Sequence, residues 1–355
     1  MNPIQTLLTS MTAFPGFSGG DDPITGHLRD LWGPLVDQLK VNKLGTLYGL
    51  IRSAKGEGAP DVVLSAHMDT IGLMVSGIWD DFLRISRVGG VDSRVLPGQE
   101  VIIWGREKIP GIIALPPAYL LPEGASSETV ELQHMVIDTG LAKSQLQEQV
   151  EIGDRVTFAG EPLALGEKLI SGPGLDNRAS LAALTLALEE LHQLDLACNL
   201  WAAATTAEEY NQSGAQVSGF DLQPDLLVVL DVTFARGPGT ADHEAYPLGE
   251  GITLGWGPSI HQDLYQHFAE LAEREGIPWV MEPLPGRSGT DADTFQLTAN
   301  GIPTMVISIP LRYMHTPVEL VDLRDVEWAG RLLSKFTANF RAEDLPFLAE
   351  GGMSL

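Results

Sequence analysis

Two histidines and five acids in this chain stand where chemistry is commonly done. His67 and Asp69 follow the apolar stretch DVVLSA, and Asp176 with Asn177 opens a helical pattern after the turn Gly172-Pro173-Gly174. Glu208 and Glu209 follow NLWAAATTA, Asp231 follows DLLVVL, and His315 comes shortly after MVISIP. Singly, each has an ordinary explanation: a histidine satisfied in a core, a helix N-cap, a solvated pair of glutamates. Together they are delivered by five separate elements to the carboxyl ends of strands, where open α/β sheets bind their ligands. Five carboxylates gathered in one cleft repel one another and lose hydration, which only cations can offset. Mixed imidazole and carboxylate ligands suit zinc, cobalt or manganese.

Charge counting favours two ions. Two neutral imidazoles and three ligating carboxylates carry three negative charges, which a divalent pair offsets with one positive charge left for an anionic nucleophile. Five protein ligands serve two ions about 3.5–4 Å apart only if one carboxylate bridges them. One glutamate is then free for proton transfer. Glu208 and Glu209 are neighbours, so one can ligate while the other faces the attacking water.

The elements that must position these groups come in two textures. Val62–Ser65, Leu200–Thr205, Leu226–Leu230 and Thr304–Ile309 are continuous apolar runs suited to covered central strands. Helical patterns cover Arg178–Leu194, His261–Glu275 and Val326–Phe340. Between about Gly72 and Gly166 the pattern changes to short strands separated by Gly, Pro or Asp turns: Phe82–Val88, Glu100–Trp104, Gly111–Leu115, Met135–Ile137 and Arg155–Phe158. This predicts an α/β layer fold interrupted by a β-rich insertion.

Composition limits the function classes. The 355 residues are 44% hydrophobic and 19% charged, enough for a large core and two domains. The net charge of −25 argues against a nucleic-acid surface and against docking on anionic membranes. Cys198 is the only cysteine, which rules out an intrachain disulfide and a cysteine-rich zinc site and fits a reducing compartment. No apolar run approaches the roughly 18 residues of a membrane span. The opening residues lack the basic and apolar regions of a signal peptide, so a cytoplasmic location is expected.

His67-Met68-Asp69 after an apolar strand resembles the His-x-Asp start of the co-catalytic metallopeptidases. With PGFSG (Pro15 to Gly19), GPGLDNR, AEE, LDVT, GTDA (Gly289 to Ala292) and RYMHTPVE in this order, the chain resembles the M42 metallo-aminopeptidases, the glutamyl and tetrahedral aminopeptidase group, from about Pro15 to Phe340. The resemblance implies a three-layer α/β/α catalytic domain with a mixed sheet over 1–71 and 166–355, and a small β-barrel-like oligomerisation insertion over 72–165. It also implies a cytoplasmic enzyme that removes N-terminal residues from short peptides and assembles as a dimer or up to a dodecamer.

Carried over, His67 and Asp231 hold one divalent metal, Glu209 and His315 the other, and Asp176 bridges both. Glu208 is the general base and later the acid. Asp69 orients His67 through its second ring nitrogen, and the Asp176–Asn177 bond is expected to be cis. Thr70, Ala207 and residues 210–213 depart from the family pattern, which bears on substrate preference and not on the ligand set. Arg312 is a candidate for binding a substrate carbonyl or carboxylate, with a structural ion pair as the alternative. His27, His134, His192, His243, His261 and His267 match no motif. Competing functions are another metal-dependent amidohydrolase or deacetylase, an endoglucanase-like hydrolase, and a non-catalytic assembly protein. The adjacent pair Glu208 and Glu209 lacks the separation of roughly 5–10 Å across a sugar that glycoside hydrolysis needs.

Overall fold

Short apolar runs become the centre of one large mixed sheet. The computed structural model describes residues 2–17, 23–116, 119, 131–241 and 243–345, so Ser18 and Gly19 of the PGFSG turn lie outside the described residues. After helices α1 (Pro3–Thr12) and α2 (Pro23–Trp32), strands β1 (Gln38–Val41), β2 (Leu47–Ile51) and β3 (Asp61–His67) enter this sheet. The chain then leaves it to build β4 (Gly72–Trp79), β5 (Phe82–Val88), β6 (Glu100–Trp104), β7 (Lys108–Ala114), β8 (Val136–Asp138), helix α3 (Lys143–Gln149) and β9 (Arg155–Phe158).

It returns through the hairpin β10 (Leu163–Leu165) and β11 (Leu169–Gly172), helix α4 (Leu175–Leu191) and strand β12 (Asn199–Thr205). A short helix α5 (Glu208–Asn211), α6 (Ser213–Leu222), β13 (Leu226–Phe234) and β14 (Ile252–Trp256) follow. Helix α7 (Gln262–Glu275), β15 (Trp279–Pro283), α8 (Ala292–Phe295), β16 (Thr304–Arg312), β17 (Glu319–Asp322) and α9 (Leu323–Ala338) complete the regular elements named here.

The large sheet runs β1-β2-β12-β3-β13-β16-β17-β11-β10, with β14 pairing β16 and β15. Its four central strands, β12, β3, β13 and β16, are mutually parallel neighbours, so their carboxyl ends share one rim. Residue alternation places helices on both faces. The Tyr48 hydroxyl of β2 donates to Ser218 of α6 at 2.9 Å. The adjacent Gly49 turns toward Trp32 of α2, whose indole N–H donates to Thr185 of α4 at 2.9 Å. Successive strand residues point to opposite faces, so α6 covers one side and α2 with α4 the other. Helix α4 is buried nearly all round, which explains its lack of a polar stripe. Gly330 lets α9 lie against it, because a Cβ there would come within 2.8 Å of the Ala183 carbonyl.

The strands from β4 to β9 form a closed barrel in the order β4-β5-β8-β7-β6-β9. In β7, Ile109, Gly111 and Ile113 point inward while Lys108, Pro110 and Ile112 face out. Leu73, Val75, Leu83, Ile103 and Ile137 fill its interior as a core separate from the main one. Closure leaves the barrel without free edges. β10, although within 72–165, pairs with β11 in the large sheet. Among the described residues, no helix is long and apolar enough to cross a membrane.

Candidate active site

The shared rim collects the acids and histidines singled out above. His67 is the last residue of β3, paired in register with Thr205 at the end of β12. Beyond Thr205, Ala207 adopts a left-handed φ of 62° and turns the chain into α5, which presents Glu208 and Glu209. Asp231 does not end its strand; it lies inside β13 opposite Ser308 of β16, and β13 runs on to Phe234. His315 sits between β16 and β17 with φ 62°. Asp176 occupies the first turn of α4, and its peptide bond to Asn177 is cis, as expected.

Asp176 stands between the two imidazoles. Its Oδ1 lies 3.1 Å from His67 Nε2, and its Oδ2 lies 3.5 Å from His315 Nε2. On the His67 side, Asp231 Oδ1 is 3.6 Å and Glu208 Oε2 is 4.0 Å from Nε2. On the other side, Glu209 Oε2 is 3.4 Å from His315 Nε2. All five ligand candidates and Glu208 line one cavity of about 510 Å³.

A ring of hydrogen bonds sets these groups. His67 Nδ1 contacts the main-chain carbonyl of Asp69 at 3.0 Å, while the Asp69 carboxylate is 3.8 Å away. The orienting contact therefore comes from the Asp69 backbone and not from its side chain. The carboxylate instead accepts the backbone N–H groups of Glu208 and Glu209. Glu319 accepts the backbone N–H of Asp176 with one oxygen and that of His315 with the other, both at 3.0 Å. The Asn177 amide donates to the Leu230 carbonyl at 3.1 Å and to Asp231 Oδ1 at 3.2 Å. Gln212 donates to Glu208 Oε1 at 3.1 Å and to the Thr290 carbonyl at 2.9 Å.

Electrostatics follow from burial. Desolvation pushes the Glu208 carboxyl up to about 8 and raises Glu209, Asp231 and Glu319 above the usual carboxylate range. Burial alone would lower His67, but the carboxylates of Asp176 and Asp231 override it and raise its pKa. Buried Asp291, whose carboxylate accepts from the Thr205 hydroxyl, is pushed up to about 7 by desolvation. Excess negative charge of this kind is what cations neutralise. His67, Asp176 and Glu209 each offer a ligand atom within 4.8 Å of the others, and Asp176 Oδ1 and Glu209 Oε1 are buried without a hydrogen-bond donor. The donor set fits divalent metal ions.

The remaining histidines lie outside the cavity. His27 stacks on Phe14, His267 packs edge-on against Phe336, His192 contacts the Glu189 carbonyl, and His261 precedes α7. His134 is exposed, and His243 is exposed beside Glu244. Arg312 donates to the backbone carbonyl of Arg236 away from the cavity. Residue types assign no role to Glu319, Gly90 or Glu282, and Gln212 enters only among the departures at residues 210–213. Glu319 carried a signal in the final residue of RYMHTPVE. Gly90 carried none: it packs on His315, and a Cβ there would lie 2.5 Å from Nδ1. Gly16 of the opening turn abuts the Met68 carbonyl in the same way, at 2.2 Å.

A family profile described as M42 glutamyl aminopeptidase matches residues 48–332. The lysyl aminopeptidase of Pyrococcus furiosus is 33% identical over 329 residues, covering 90% of this chain and 93% of that protein. Among solved structures, a TET aminopeptidase from a marine sediment thaumarchaeon superposes with a TM-score of 0.90 at 28% identity, covering 98% of each chain. The TET1 peptidase of Pyrococcus horikoshii, described as assembling into a tetrahedron or a large octahedral shell, gives 0.84 at 28% identity over 95% of this chain and 100% of that one. With a profile that spans most of the sequence, this chain belongs to the M42 glutamyl aminopeptidase family.

Proposed function

We propose that this protein is a dinuclear metallo-aminopeptidase that releases N-terminal residues from short peptides. The observation that carries the reading is the placement of Asp176, with one carboxylate oxygen toward His67 and the other toward His315. In this reading His67 and Asp231 hold one cation, Glu209 and His315 hold the other, and Asp176 serves both. When bound, the two divalent ions supply Lewis-acid activation of the scissile carbonyl and of the attacking water. Zinc, cobalt and manganese all fit this donor set.

The protein's own groups do the rest. Glu208 takes a proton from the attacking water and passes it to the leaving amine, and a carboxyl that burial biases toward the protonated form suits that exchange. Gln212 and the Asp69 carboxylate fix where Glu208 points. Acids at the cavity attract the positively charged N-terminus of the peptide.

In the same proposal, residues 1–71 and 166–355 form the catalytic domain, and 72–165 form an insertion through which copies of the chain assemble in the cytoplasm. The assembled state of the P. horikoshii relative supports this. Light scattering tests it, a monomer at micromolar concentration being the contrary result.

The deciding experiment for activity is digestion of a peptide library by protein reconstituted in turn with zinc, cobalt and manganese. Each peptide is offered with a free and with an acetylated N-terminus. Stepwise release of amino acids from free ends alone is expected. Release of acetate would favour a deacetylase instead.

A further inference from the structure

The names of the family and of its P. furiosus relative point to different side chains, glutamyl and lysyl, so membership leaves the preferred N-terminal residue open. The far wall of the cavity narrows the choice. It is formed by Thr233, Phe234, Leu284, Val306, Ser308 and Glu282. Asp231 pairs in register with Ser308, and Ser308 pairs with Thr253, so one face of the sheet runs from the metal ligand to β15, where Glu282 stands.

Three hydroxyls hold the Glu282 carboxylate. Thr233 donates to Oε1 at 2.6 Å, Thr253 donates to Oε2 at 2.5 Å, and Ser308 also donates. Among the described residues, no Lys, Arg or His lies within ion-pair distance of it. A half-buried carboxylate in a substrate cavity, supported by neutral donors alone, lacks a cation that a substrate can bring. Resting on the aminopeptidase reading above, we propose that Glu282 receives the side chain of the N-terminal residue and selects lysyl and arginyl substrates.

Reach and surroundings agree with this. Thr233 lies two residues beyond Asp231 on the same strand face, a step of about 6.8 Å. That is close to the length of an extended lysyl side chain, whose four-carbon stem can lie along Phe234, Leu284 and Val306. An acidic side chain would meet a like charge, and a neutral one would leave Glu282 unpaired.

The test compares lysyl, norleucyl and glutamyl p-nitroanilides on the metal-loaded protein. Norleucine keeps the lysine stem without the ammonium, so the ratio isolates the charge. Lysyl should exceed norleucyl in kcat/KM by about 100-fold, with glutamyl slower still. Glu282→Gln should reduce the lysyl-to-norleucyl ratio by at least about tenfold; each ratio is internal to one preparation and independent of its folded fraction. Thermal shifts with free lysine against norleucine repeat the comparison without turnover. Equal or reversed wild-type ratios, equal thermal shifts, or a folded Glu282→Gln protein with an unchanged ratio would overturn the proposal and leave the aminopeptidase reading standing. Failure to cleave any of the three with metal bound would overturn both.

Discussion

The carboxylate of Asp69 is hydrogen-bonded to the main chain of Glu208: its Oδ1 accepts that N–H at 3.0 Å, and its Oδ2 accepts the next one, from Glu209, at 3.2 Å. One buried acid just beyond β3 thus fixes the turn that carries both glutamates. Asp69→Asn keeps the volume but replaces one acceptor with a donor facing an N–H. We expect kcat to fall about 10–100-fold, with His67 still oriented because its partner is a backbone carbonyl. Steady-state kinetics with metal analysis of the same preparation checks this.

In the proposed mechanism Glu208→Gln removes the proton-transfer group and leaves the five proposed ligands in place. It should retain wild-type metal content and lose roughly 10²–10⁴ in kcat. Near-normal turnover would remove Glu208 from the mechanism. Gln212→Ala, which removes the donor to Glu208 and to the Thr290 carbonyl but leaves the acid itself in place, should cost far less.

Gly90→Ala should act on a residue it does not neighbour in sequence. The added methyl would lie 2.5 Å from His315 Nδ1 and 2.8 Å from Cε1, so the ring must swing away from Glu209 and Asp176. Competition with a chelator should show one of the two ions held more weakly and the other unchanged. Equal retention of both would show that the ring has room.

Removing the metals should lower thermal stability, since the carboxylates around Asp176 then repel without compensation. Cobalt or zinc returned to chelator-treated protein should restore Tm. In Asp176→Asn that recovery should be largely lost, as followed by scanning calorimetry.

Away from the site, Asp325 gives a pH signature. It is fully buried in the first turn of α9, accepts the N–H groups of Gly249 and Gly251, and is pushed by burial up to about 7. The folded chain therefore holds a proton that the unfolded chain releases near pH 4. Its contribution to stability is complete below pH 4 and is lost as pH rises to about 7, by up to about 1.4 kcal/mol per pH unit. Urea unfolding of Asp325→Asn and wild type should give a difference that shifts toward the variant between pH 4 and 7. A difference constant with pH would refute the shift.

Much of this was legible because the decisive elements are buried on both faces. The runs behind β3, β12, β13 and β16 are continuous apolar sequence, and three barrel strands, β5, β6 and β9, keep their expected limits. Edge strands hid themselves: β1, β10 and β15 are short and largely exposed, so even the apolar Leu163, Leu165, Val280 and Met281 mark no buried face. The cluster was readable from residue type beside apolar strand runs and at one helix start, whereas its supports were not. Asp69 works through hydrogen bonds to another segment, Gly90 through the absence of a side chain, and Gln212 through a left-handed turn at φ 58°. Such roles depend on contacts that exist only after folding.

The backbone at Gly89 and Gly90, between β5 and β6, rests on the Glu209 main chain and the His315 ring. The barrel is consequently a wall of the reaction chamber as well as an appendage. Trimming the gene to its α/β half would deliver a fragment missing the surface against which His315 is braced, and any shift in how the barrel is seated has a short mechanical route to the cavity.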